Sequence, residues 1–422
     1  MAMADQPAGK SFRLSMLLYD TRYRSMTIQF IMLALFVLGV VWLLNNMYTN
    51  LAAANKNPDF TFLSAPAGYD INQRLVEYTS QSTNARAWLV GLLNTLLVAF
   101  LGCIVATVVG VSVGVMRLSK NWIVARLMTV YIEIFRNVPV LLWIAFLNAI
   151  LSEILPQPKD FKGADAEASM SFWNTVIISN RGVFVPEPVF LSGSAIMLYV
   201  FIASIVAIFA FGRWARKDQE TSGRILPTFW IKLAILLLPT LIVYFVMGQP
   251  IDWILPAFEG RGAFDANGEP YTKGIFRIDA ESGINIRRSL IALTLALSLY
   301  TAAFIAEAVR AGIMAINKGQ SEAAGALGLR QNRVMSLVVL PQALRVIIPP
   351  LISQYLNLTK NSSLAIAVGY MDVTGTLGGI TLNQTGRALE CILLLMITYL
   401  TISLSISMVM NLYNNSVKLK ER

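Results

Sequence analysis

The sequence contains no histidine and only two cysteines, Cys103 and Cys391, each inside a separate apolar run. Imidazole acid/base chemistry and Cys/His metal sites are therefore excluded, and a disulfide framework is not expected. Charged residues are scarce, 14% against 56% hydrophobic, which does not suit soluble domains in a chain of 422 residues. No Gly-x-x-x-x-Gly-Lys-Ser/Thr phosphate loop is present, which argues against nucleotide binding by that route. What remains is the composition of an integral membrane protein. The net charge of +10 then reflects loops on one side of a membrane and not nucleic acid as a partner.

A helix rises about 1.5 Å per residue, so crossing about 30 Å of hydrocarbon takes about 20 apolar residues. Eight runs qualify, at 27–44, 88–116, 127–151, 194–212, 230–247, 289–312, 346–368 and 389–412. All are predicted helices, because lipid offers an unpaired backbone group no partner. The first run follows a polar stretch with Lys10, Arg13, Arg22 and Arg24 and has no small-residue cleavage site close behind it. It is expected to anchor the chain and not to be removed.

Sidedness follows from charge. With the amino terminus inside, the inner segments hold 18 Lys/Arg against six acids, and the outer segments hold 12 against 15. The positive-inside rule therefore puts both termini in the cytoplasm. Two long outer segments, 157–187 and 251–283, are rich in Gly, Pro and acids and read as surface loops with small extra elements. Reception of a soluble partner and simple tolerance of an insertion both account for them. No internal repeat relates the two halves, which leans towards one half of a dimer and away from a self-contained secondary transporter.

The inner connection 319–341 carries the most specific pattern. Ser321 is predicted as an N-cap, with Glu322 complementing the dipole in the first turn. Ala323, Ala324 and Ala326 keep this short helix thin, so that another surface could approach its backbone, with Gly325 between them. Gly328 suits the left-handed residue that ends a helix. A second short helix from about Gln331 would set Val334, Leu337 and Val338 on one face before Pro341 stops it.

Spacing sets this stretch apart from an ordinary amphipathic loop. It resembles the EAA loop of ABC importer permeases at Glu322, Ala323, Ala324, Gly328, Leu340 and Pro341, with Val338 where that family prefers Ile. The stretches 306–312, 135–139 and 360–364 look like the polar amino acid branch of the family, and the similarity covers roughly 88–412. Relative to its compact five-span members, this chain adds the first, fourth and fifth spans, as do the long forms that carry general L-amino acids or glutamate and its relatives.

The resemblance implies an all-α integral membrane protein with about eight transmembrane helices, a type I ABC importer transmembrane domain. The expected organisation is a cytoplasmic tail at 1–26, an extra span and periplasmic loop at 27–87, the transmembrane domain at 88–413 with insertions at about 153–288, and a second tail at 414–422. The implied partners are a second permease subunit, more in keeping with a heterodimer than a homodimer, two cytoplasmic ATPase subunits that bind ATP and Mg, and a periplasmic amino-acid-binding protein. The chain itself would be non-catalytic, bind no cofactor, and lie in the bacterial inner membrane. Residues 322–328 would be the coupling helix.

Charges at bilayer depth are functional suspects. Glu133 with Arg136, and Glu307 with Arg310, have i, i+3 spacing and are predicted internal ion pairs. In the seventh span Ser353, Asn357, Lys360 and Asn361, with Ser363 nearby, form a polar face that must meet a cavity or a partner helix. Lining of a substrate pathway by Asn357, Lys360, Asn361 and Ser363 and polar glue between helices both fit it. The competing function is an ion-driven transporter that needs no ATPase; the EAA pattern is the feature against it. A membrane-embedded enzyme would need a cluster of catalytic groups that the spans lack.

Overall fold

The computed structural model describes residues 21–53, 57–162, 166–224, 226–261, 263–264, 268–279 and 282–417. The expected tails at 1–20 and 418–422 lie outside them. Among the described residues, eight helices are long and apolar enough to cross a membrane.

Helix α1 (Thr21–Ala53) has a membrane-length apolar window of which no residue is buried. Then come α2 (Asn84–Met116), α3 (Trp122–Asn137) and α4 (Val140–Ile154). An arm follows, made of α5 (Ser194–Ser222) and α6 (Thr228–Val246), which pack mainly on each other. The core resumes with α7 (Arg288–Met314), α8 (Lys318–Ala326), α9 (Gln331–Val334), α10 (Leu340–Asn361), α11 (Leu382–Thr385) and α12 (Ala388–Val417).

Helix α7 is the axis of the core. It packs on α2, α3, α4 and α10, and Leu293, Leu297 and Ile305 on it are fully buried. The α2–α7 contact is close because α2 repeats small residues every fourth position, at Gly102, Ala106, Gly110 and Gly114. A methyl group added at Gly110 would lie 2.9 Å from the Ala302 carbonyl and 2.7 Å from Ile305. The sequence places small residues opposite, at Ser298, Ala302 and Ala306, so two backbones meet where Leu-rich faces could not.

The predicted third span is two helices. Val138 takes an extended conformation (φ −105°, ψ 132°) between α3 and α4. Pro139 is the cause: its ring disfavours the helical region for the residue before it. The membrane-length segment is Val140–Phe161, of which α4 is the first part, and Glu133 and Arg136 ride on α3 instead.

Outside the membrane-length helices, three small sheets form. Strand β1 (Ile177–Ser179) pairs antiparallel with β2 (Gly182–Val185), which pairs with β7 (Ile284–Arg287). Strands β3 (Glu187–Phe190) and β4 (Ile251–Ile254) form a ribbon at the root of the α5–α6 arm, and β5 (Phe258–Glu259) pairs with β6 (Arg277–Ile278). The described parts of the segments 157–187 and 251–283 thus carry folded structure, and β7 runs without a break into α7. The connection 369–388 also departs from a plain loop. Tyr370, Asp372 and Val373 are buried, and a turn of wide helix, Thr374–Thr381, packs on α2 and α12.

Candidate functional site

Helix α8 begins earlier than its expected cap. Asn317, and not Ser321, is the N-cap: its side chain accepts from the Gly319 amide at 2.9 Å. Asn is as good a cap as Ser, and this start adds about one turn, so Glu322 sits in the second turn. The end is as expected in kind. Gly328 has φ +80°, and the amides of Gly328 and Leu329 donate to the carbonyls of Gly325 (2.9 Å) and Ala324 (3.3 Å). This is a Schellman closure, which a side chain at Gly328 would strain.

Ala324 is the one residue of α8 turned inward, against Val334 and Val339. Glu322, Ala323, Gly325, Ala326 and Leu327 are exposed, and Leu327 is 83% exposed. Among the described residues, nothing lies within 4 Å of a methyl group placed at Gly325. The helix therefore offers a narrow, smooth outer face that this chain leaves bare.

Pro341 does not stop the second helix. Residues 331–368 form one continuous rod in which Met335–Val339 is a π-helical turn and Pro341 opens α10. The wide turn absorbs the lost proline donor, so the chain bends and winds on. Leu340 is 41% exposed, and α8 is joined through that turn directly to the rod bearing the polar face.

The two predicted ion pairs part company. Glu307 meets Arg310 on α7 and also Arg117, which caps the end of α2, so one carboxylate ties the two central helices together. Glu133 and Arg136 do not pair. Glu133 accepts from Asn137 at 3.2 Å, and the Arg136 guanidinium lies over the Phe304 ring, 5.3 Å from its centre. The reason is position: on the exposed α3, Arg136 reaches the aromatic surface of α7 and gains a cation–π contact.

On α10 the polar face is open. Ser353, Asn357 and Lys360 are exposed, Asn361 and Ser363 half-buried. Lys360 has no ion-pair partner among the described residues. Its carbonyl accepts from Ser363 at 2.8 Å, and the rod tightens there into a 3-10 helix, Ser362–Val368.

At the far end of α7 from α8, about 40 Å away for 27 residues at the helical rise, lies a cavity of about 390 Å³. Its lining includes Asn72, Gln73, Arg181, Arg287, Arg288 and Tyr370, and no acid among the described residues. Arg288 is held by Asn148 (3.2 Å), Ser152 (2.6 Å) and the Asn180 carbonyl (3.1 Å). The Arg287 amide donates to Gln73 at 3.1 Å. Burial, then the nearby Arg181 charge, lower the Arg287 pKa, with Asp70 acting the other way. Asn94, fully buried on α2, donates to the carbonyls of Gln73 (2.7 Å) and Met371 (2.8 Å) and so fastens two walls of the cavity.

A family profile described as "binding-protein-dependent transport system inner membrane component" matches residues 222–419. The chain is 51% identical to a glutamate/glutamine/aspartate/asparagine transport system permease of Rhodobacter capsulatus, over the full length of both. It is 44% identical to a general L-amino acid transport system permease of Rhizobium johnstonii, across 98% of this chain and 96% of that one. A putative amino-acid ABC transporter permease of Escherichia coli K12 is 41% identical across 92% of each. The chain belongs to the amino-acid ABC importer permeases. It is a multi-pass membrane permease, and the profile takes in α6 to α12, with α8 and the polar rod inside it.

Sequence reasoning missed the permease's arginine cavity and Asn94. In the sequence Arg181, Arg287 and Arg288 bear only on sidedness, and nothing local links residue 181 to 287. A signal did exist: an Arg-Arg pair immediately before a span, in an outer segment otherwise dominated by acids. Asn94 gave none beyond being a lone amide in an apolar run.

Proposed function

We propose that this permease contributes one half of an ATP-driven import pathway for polar L-amino acids. Its polar α10 face lines that pathway beside a second permease subunit, with a heterodimer favoured. The observation that carries the reading is the bare polar face joined through a π turn to the bare α8. A face bearing Asn357 and Lys360 is not stable against lipid, so it calls for a water-filled cavity or a second chain. Lys360 suits the substrate carboxylate and Asn357 the ammonium. Two ATPase subunits, which bind ATP and Mg, receive one α8 each. Their closure on ATP moves the rods by rigid-body tilting between two states, and a periplasmic binding protein delivers the substrate. The charge asymmetry supports an inner-membrane orientation with α8 and both termini in the cytoplasm. This chain hydrolyses nothing itself.

Co-purified permeases, ATPase and binding protein, reconstituted in liposomes, are expected to take up L-glutamate or L-glutamine only with ATP. Asn357→Ala and Lys360→Ala should assemble normally and lose most of the substrate-stimulated ATP hydrolysis. Uptake driven by an ion gradient without ATP would favour a self-contained transporter instead, and full stimulation in both variants would remove the α10 face from the pathway.

A further inference from the structure

The arginine cavity at the far end of α7 is assembled from parts distant in sequence. Strand β2 places Gly182 opposite Arg287, and the Arg288 amide donates to the Arg181 carbonyl at 3.3 Å. The approach is tight: a methyl group at Gly182 would stand 2.3 Å from the Ile286 carbonyl. The insertion is thus stitched to the first turn of the central helix, and the stitch sets three guanidinium groups around one space. The same space is lined by Val368, Gly369, Tyr370 and Met371, the end and continuation of the rod that carries Asn357 and Lys360.

Three features of this space specify a ligand. No acid among the described residues lines it, Asp70 acting on Arg287 only from the adjoining cavity, so three guanidinium groups share one space, and guanidinium forks match carboxylates in a bidentate fashion. The Arg287 Nε is buried without a hydrogen-bond partner, a donor waiting for an acceptor. The Asn180 side-chain oxygen is likewise buried and unpartnered, an acceptor for an ammonium beside the arginines. A volume of about 390 Å³ admits a free amino acid with water. Arg288 is already fixed by three partners, so little ordering remains to be done on binding.

We propose that this cavity is a receiving site for an acidic amino acid, its two carboxylates taken by Arg181, Arg287 and Arg288 before the molecule passes to the polar face of α10. The insertion is then part of substrate selection, because Arg181 belongs to it. A cationic amino acid is repelled at the same place, and a neutral one gains less. The assignment rests on the import reading, with cargo entering at the end opposite α8.

The isosteric pair L-glutamate and L-glutamine tests it in the complete reconstituted transporter with its binding protein. Arg181 is exposed and, among the described residues, its side chain supports no hydrogen bond, so its variants are expected to fold. Arg181→Gln should lower ATP-driven glutamate uptake relative to glutamine by about fivefold, the scale of one partly exposed charge contact. Arg181→Glu should lower it further, and Arg181→Lys should preserve the wild-type ratio. An unchanged ratio in the Gln and Glu variants overturns the proposal. So does a parallel fall for both substrates with a raised KM for the loaded binding protein, which would mean that Arg181 meets an acidic protein surface. A wild-type transporter that imports glutamine and not glutamate overturns the proposal alone; one that imports neither with ATP overturns the import reading beneath it.

Discussion

Asp372 shows what a single residue can decide in a protein with so few charges. It is buried beside the first turns of α2, near Gly91, where its carboxylate accepts from the Gly375 amide at 2.8 Å and the Tyr399 hydroxyl at 3.1 Å. Burial outweighs these donors and pushes its pKa up to about 6 from 3.8. The folded state therefore holds its proton more tightly than the unfolded one. Stability from this group is fully present below about pH 4 and is lost as pH rises through 6, a swing of at most about 3 kcal/mol. In detergent, the melting temperature of Asp372→Asn relative to wild type should rise between pH 4 and pH 7. Asn keeps an oxygen for Gly375 and loses one acceptor for Tyr399 at every pH, so the slope, not the offset, is the readout. A parallel pair of curves would mean that Asp372 is already ionised or already neutral throughout.

Among elements, α8 and α3 mark the limits of reading from sequence. The left-handed Gly328 was legible because only one backbone closure suits that glycine. The start of α8 was not, because Asn317 and Ser321 are equally good caps and packing of Ala324 on Val334 and Val339 chooses between them. Pro139 and Pro341 sit in similar apolar surroundings, yet one breaks a span and the other is absorbed by a π turn. Local sequence does not distinguish them; the neighbours that hold the rod continuous do. Two glycines of α8 give a prediction at this scale. Gly325→Val adds bulk on the bare side at an ordinary helical position, so α8 folds and the ATPase loses its approach. Pull-down of the ATPase should fall at least tenfold while permease yield is unchanged, and Glu322→Lys should act the same way by charge. Gly328→Val strains the φ +80° closure and should also increase proteolysis near residue 328. Wild-type ATPase recovery with Gly325→Val would show that the bare face is not where the ATPase docks.

For the molecule as a whole, the sequence made plain that helices cross a membrane and in what number, because apolar length is a one-dimensional property. It did not reveal which helices form the core. That depends on close approach, as along Gly102, Gly110 and Gly114, and a small residue in an apolar run carries no mark of its partner. The α5–α6 arm is the opposite case, two long apolar runs whose helices pack mainly on each other. Its two ends come together in the β3–β4 ribbon, where Glu187 stands opposite Ile254. The arm is therefore removable in principle. Replacing 187–254 with a short Gly-Ser turn deletes two spans at once, so every later segment keeps its side of the membrane. The α2–α7–α10 core retains its packing, and the β1–β2–β7 sheet retains the stitch at Arg181. The shortened permease should insert, bind the ATPase through α8, and melt within a few degrees of the full chain. Collapse of its yield would instead assign the arm a part in membrane insertion or in holding the second permease, a role that its contacts within this chain do not require.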